Sequence, residues 1–112
     1  MQTRDYTVII RSLPSADRDA TEIEDRLESE QAGYGKAFTD LFEIAVKRIA
    51  ESPRLYPRTE DGPRKPENRE YYIKRFEYRM IYAVSDSELV ILALVHARNR
   101  PKGWVRRIRD MK

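Results

Sequence analysis

Two places in this 112-residue chain gather side chains able to handle phosphates and protons. One is Arg79-x-x-Tyr82, inside the run Phe76-Glu-Tyr-Arg-Met-Ile-Tyr82. The other is Val95-His-Ala-Arg-Asn-Arg-Pro-Lys-Gly-Trp104, which carries the only histidine and the only tryptophan. Arginines can stabilise the charge of a phosphorane, and a tyrosine or histidine can move a proton, so Arg79, Tyr82, His96 and Arg98 could cleave RNA without a metal. Each also has a structural reading. Arg79 can pair with Glu70 or Glu77, Tyr82 can be a core aromatic with its hydroxyl at the rim, and His96 can simply end a strand. Alternation along the 78–84 strand sends Arg79 and Tyr82 to opposite faces, so regular geometry cannot aim both at one substrate.

A binding role needs less convergence. Lys74, Arg75, Arg100, Lys102, Arg106 and Arg107, with Trp104 among them, form a basic and aromatic set suited to phosphates, bases or an acidic protein. The charge distribution agrees. Residues 1–52 hold 7 Lys/Arg and 11 Asp/Glu, a balance of −4, and residues 53–112 hold 15 and 8, a balance of +7. Such asymmetry implies an acidic face and a separate basic one.

Other chemistries find no support in the sequence. With no cysteine and one histidine there is no disulfide, no thiol nucleophile and no metal-binding spacing. Four scattered glycines make no phosphate-cradling loop, so no cofactor is expected. The N-terminus has Arg4 and Asp5 before a short apolar run, unlike a signal peptide. Nothing approaches the roughly 20 apolar residues of a membrane span, and a cytoplasmic protein with no membrane partner is expected.

The elements that must position these residues follow from periodicity. Residues 6–11 are β-branched and read as a strand. Ser15 is a candidate cap for a helix whose apolar stripe is Ala16, Ala20, Ile23 and Leu27, the other faces being charged. Gly33-Tyr34-Gly35 turns the chain into a second helix with Ala37, Phe38, Leu41, Phe42, Ile44, Ala45 and Ile49 on its apolar face, ended at Ser52-Pro53. Residues 54–69, with three prolines and Asp61-Gly62, read as a mobile loop. Runs 71–75, 78–84 and 89–95 read as strands, the last two joined at Ser85-Asp86-Ser87. The 89–95 run is apolar on both faces and should be central. The expected fold is α+β, in the order β-α-α-β-β-β. A helical hairpin packs on one face of a small, mostly antiparallel sheet, in a single domain over 1–112 with a basic tail from about 97.

This order resembles the RelE/ParE superfamily of type II toxin–antitoxin toxins over roughly residues 6–104. Leu41-Phe-Glu-Ile-Ala-Val-Lys-Arg-Ile-Ala-Glu-Ser-Pro53, the Phe76–Tyr82 strand, and Val90-Ile-Leu-Ala-Leu-Val-His96 leading to Arg98, Arg100, Pro101 and Trp104 carry the resemblance. It implies a small toxin neutralised by an antitoxin, usually acidic. RelE-like members cleave mRNA on the ribosome, and ParE-like members inhibit DNA gyrase. Arg79 matches the arginine of the nuclease strand, but Ala97 and Arg98 stand where the nuclease branch has a His-Tyr ending. The long helical hairpin and the His-x-Arg-x-x-Pro-x-x-Trp ending are ParE-like. The expectation is therefore a gyrase inhibitor, with the metal-independent mRNA endonuclease as alternative and a non-catalytic binding module as a third reading.

Overall fold

The computed structural model describes residues 9–98 and 103–111. Its elements are β1 (Ile9–Ser12), α1 (Pro14–Glu30), α2 (Tyr34–Glu51), β2 (Asn68–Ile73), β3 (Tyr78–Val84), β4 (Glu88–His96) and a C-terminal 3-10 helix (Gly103–Met111). The strands form one sheet in the order β1-β4-β3-β2, with β1 parallel to β4 and the other pairs antiparallel. The α+β arrangement and the central position of β4 are as expected. Seven of its nine residues, Leu89–Val95, are buried because both faces are covered.

The helical hairpin covers one face. Ala16, Ile23 and Leu27 of α1, and Phe38, Ala45 and Ile49 of α2, are buried against Tyr78, Met80, Tyr82 and Val84 of β3. Gly33 joins the helices at φ 95°, a left-handed conformation that costs a residue without Cβ little. Two expectations change here. Helix α1 begins at Pro14 instead of after Ser15, because proline's fixed φ suits the first helical position. Leu13 holds that start to the sheet through its N–H and the Ile91 carbonyl, 3.0 Å apart. Ile44 does not join the core and stands 44% exposed.

The loop over 52–67 and the C-terminal 3-10 helix cover the other face. The loop is docked more closely than its proline content suggests. Thr59 N–H donates to the Asn68 carbonyl and Glu70 N–H to the Pro57 carbonyl, at 3.2 and 3.0 Å, so the loop runs briefly as an extra strand beside β2. Buried Asn68 donates to the carbonyls of Pro63 and Pro66 at 2.9 and 2.7 Å, and Thr59 bonds its amide oxygen. These bonds extend β2 three residues earlier than β-propensity places it. The segment expected as a basic tail is likewise a folded cover from 103 onward. Among the described residues, no helix is long and apolar enough to cross a membrane.

Candidate functional site: the two covered edges of the sheet

Arg79 points away from the helices, under the docked loop. It is 1% exposed. Its guanidinium donates to Glu70 at 2.7 and 3.1 Å and to Asp61 at 2.8 and 3.2 Å. The Trp104 indole N–H adds a 3.3 Å bond to the same Asp61 carboxylate. Burial would raise the Asp61 pKa, but the bonds from Arg79 and Trp104 outweigh it and hold the carboxyl below its ordinary range. Burial opposes the Arg79 charge too, and Glu70 and Asp61 reverse that. The two carboxylates stand where a phosphate would have to bind, so this arginine is spent on the fold.

Gly62 lets the loop close over this network. A Cβ there would lie 2.6 Å from the Trp104 ring, 2.6 Å from Asn68 Oδ1 and 2.7 Å from Thr59 Oγ1. Trp104, placed by the sequence among partner-binding residues, is 3% exposed and packs inside.

The other three members of the catalytic set lie elsewhere. Tyr82 is fully buried on the helix side, donates its hydroxyl to the Pro53 carbonyl at 2.7 Å, and has its pKa pushed up by that burial. His96 is half-buried at the end of β4, with its ring edge-on to Tyr78 at 5.1 Å. Its Nδ1 accepts the Arg98 N–H at 3.2 Å, while the Arg98 guanidinium turns to Glu77 at 3.3 Å. Arg79, Tyr82 and the His96–Arg98 corner therefore occupy three separate surroundings. They do not converge on one reacting centre.

A cleft follows the other edge of the sheet. Strand β1 ends opposite Ile91, and β4 runs on to His96 with β3 beside it but no strand on its other side. A bulge at Leu92 breaks the β3–β4 register there. Side chains stand in for the missing strand. Asp19 accepts the Leu94 N–H at 3.0 Å, and Arg107 donates to the Leu92 carbonyl at 3.0 Å. Arg107 also clasps Asp19 at 2.7 and 3.1 Å. The cleft beside them, about 570 Å³, is lined by Glu22, Arg26, Tyr78, His96 and Trp104 among others. Arg26 donates to the Tyr78 hydroxyl across it.

Asp19, Arg26 and Tyr78 were not singled out by the sequence, nor was Asp61. For the two helical residues a signal exists. They sit three residues after Ala16 and Ile23, on the flank of the apolar stripe, where a charged side chain can reach under the helix. Asp61 has no such signal, being 18 residues from Arg79 in a loop.

Residues 10–101 match the family described as the ParE toxin of the type II toxin–antitoxin system parDE. This chain belongs to the ParE toxin family. A solved structure described as the chromosomal ParDE TA system from P. aeruginosa contains a similar chain, at 14% identity and a TM-score of 0.57. The alignment covers 80% of this chain and 95% of that one, and at this identity the likeness concerns the fold. No curated protein matches the chain in sequence.

The ParE match ends at residue 101, before the 3-10 helix that supplies Trp104 and Arg107. In this ParE-family chain that helix covers Arg79 and braces the edge of β4. Of the expected binding residues, Lys74, Arg75 and Arg106 are exposed, with Arg75 resting over the rings of Tyr34 and Phe76 at 5.5 and 4.8 Å. Arg107 is engaged by Asp19, and Arg100 and Lys102 lie outside the described residues.

Proposed function

We propose that this ParE-family chain is the toxin of a two-protein system, acting by binding DNA gyrase with no chemistry of its own. A cognate antitoxin neutralises it by direct binding in the cytoplasm. One observation carries the reading. Both sides of the buried Arg79 guanidinium are taken up by the carboxylates of Asp61 and Glu70, and Tyr82 and His96 lie on the helix side of the sheet, so the phosphodiester-cleaving set is not assembled. A protein that binds its target needs surface, and Lys74, Arg75, Arg98 and Arg106 offer exposed cations for it.

The test is expression of the chain alone and then beside its antitoxin. Filamentation and DNA damage with intact mRNA, relieved by the antitoxin, are expected. Translation arrest with cleaved mRNA would overturn the reading in favour of ribosome-dependent cleavage. Verified folded expression without toxicity would favour a binding module alone.

A further inference from the structure

We propose that the cleft between α1 and the C-terminal 3-10 helix, along the last residues of β4, binds a mononucleotide. The site stands or falls without the toxin reading. It rests on how β4 ends. Ala97 N–H donates to the Glu77 carbonyl at 2.8 Å. Alternation along an antiparallel pair then turns Ala93 and Val95 toward β3, and Leu94 and His96 toward the side where β1 has stopped. Asp19 takes the Leu94 N–H on that side, as the alternation requires. Among the described residues, nothing takes the Leu94 carbonyl or the His96 N–H. Polar backbone groups at such a place call for a partner, and these two lie on the wall of the cleft.

The pair is too short to start a strand. Arg107 and Asp19 already occupy the Leu92 carbonyl and the Leu94 N–H and clasp each other, which stops an incoming peptide from pairing further along β4. A carbonyl and the N–H two residues on instead match a planar ring whose edge sets a donor beside an acceptor. Nucleobases carry such an edge: N6–H and N1 of adenine, N4–H and N3 of cytosine, N1–H and O6 of guanine, N3–H and O4 of uracil.

The charges on the lining suit the rest of a nucleotide. Glu22 and Arg26 stand one turn apart on α1 and both line the cleft. Arg26 turns to the Tyr78 hydroxyl and keeps its remaining donors for a phosphate. Glu22 has no partner among the described residues and is an acceptor for ribose hydroxyls. Asp19 and Arg107 neutralise each other. His96, edge-on to Tyr78, adds an aromatic wall. The volume of about 570 Å³ lies within the ~300–1,000 Å³ usual for small-molecule sites.

Isotope-labelled full-length chain is titrated with AMP, CMP, GMP and UMP and followed by NMR and hydrogen exchange. At least one should bind at about 1 mM or below, with the His96 amide shifted and newly protected from exchange. For the tightest of the four, loss of the phosphate to give the nucleoside should weaken binding about tenfold or more. Arg26→Met, checked for an unchanged unfolding midpoint, should abolish that difference. The comparison of nucleotide with nucleoside and the His96 amide are both read in wild type, which no substitution can unfold.

No response to any of the four at about 10 mM would overturn the proposal. So would equal binding of ribose 5-phosphate or inorganic phosphate, which would show an anion site without a base. A His96 amide already protected in the ligand-free chain would overturn it too, since its N–H would then have a partner. A single-stranded oligonucleotide that binds far more tightly, with shifts beyond the cleft, would replace it with a nucleic-acid surface. Each of these results leaves the toxin reading standing.

Discussion

Replacing Asp61 with asparagine perturbs the buried network at one atom while keeping its shape. The carboxylate accepts two bonds from Arg79 and one from Trp104, and it is 8% exposed beside an arginine at 2%. Breaking a buried ion pair from one side costs about 3–5 kcal/mol, because the remaining charge stays buried. Glu70 still holds Arg79, and asparagine keeps one acceptor oxygen, so Asp61→Asn should cost about 2–3 kcal/mol. That corresponds to a fall of ~8–20 °C in the melting midpoint of a domain this size.

The variant also carries a pH signature. The Asp61 pKa is lower in the folded protein than its ordinary 3.8. Its ionisation therefore stabilises the fold fully above that ordinary value, and the contribution fades as pH falls through the lower folded pKa. Wild type and Asp61→Asn should thus differ most near neutrality and converge in acid. Urea unfolding followed by circular dichroism and by the fluorescence of the sole tryptophan checks both points. Equal stability at neutral pH, or a gap that persists unchanged in acid, would refute the assignment of Asp61 as the charge that holds Arg79.

Gly62→Ala should destabilise the fold by about 1–3 kcal/mol and shift Trp104 emission, since its Cβ meets the indole at 2.6 Å; urea unfolding measures both. Asp19→Ala frees Arg107 and strips the Leu94 N–H of its acceptor, which should cost about 1–3 kcal/mol and speed exchange of that amide. Deleting residues 102–112 removes buried Trp104, and losing an aromatic side chain of this kind costs about 3–5 kcal/mol. Loss of toxicity after that deletion would then coincide with loss of folded protein in a melting assay. The substitution Arg106→Glu instead changes an exposed charge, and it should leave the melting midpoint in place while weakening target binding.

Strands were the legible part of this fold. The β3 and β4 runs are dense in β-branched and aromatic residues, and the structure places β3 at Tyr78–Val84 and β4 within one residue of expectation at each end. Helix stripes were legible too, apart from Ile44, which matches the 3.6-residue period but faces the open groove beside β2. Periodicity reports which residues share a face, and the neighbour that covers the face lies far off in sequence. The same limit hid Asp61, whose role follows from a loop folding back over Arg79. It also hid Arg107, whose partner Asp19 is 88 residues away. The 3-10 helix reads as a solvated tail because four of its nine residues, Arg106, Arg107, Arg109 and Asp110, are charged, and only the structure shows Trp104 and Arg107 turned inward. Arg79 and Tyr82 were correctly placed on opposite faces by alternation, whereas their burial depended on covers from distant segments.

Supercoiling of relaxed plasmid by purified DNA gyrase, measured with increasing amounts of the folded full-length chain, tests the central claim most directly. Dose-dependent inhibition that is reversed by the antitoxin, and retained by Arg79→Met variants that still fold, is the expected result. Undiminished supercoiling at saturating chain, with cleavage of mRNA on programmed ribosomes under the same conditions, would contradict it.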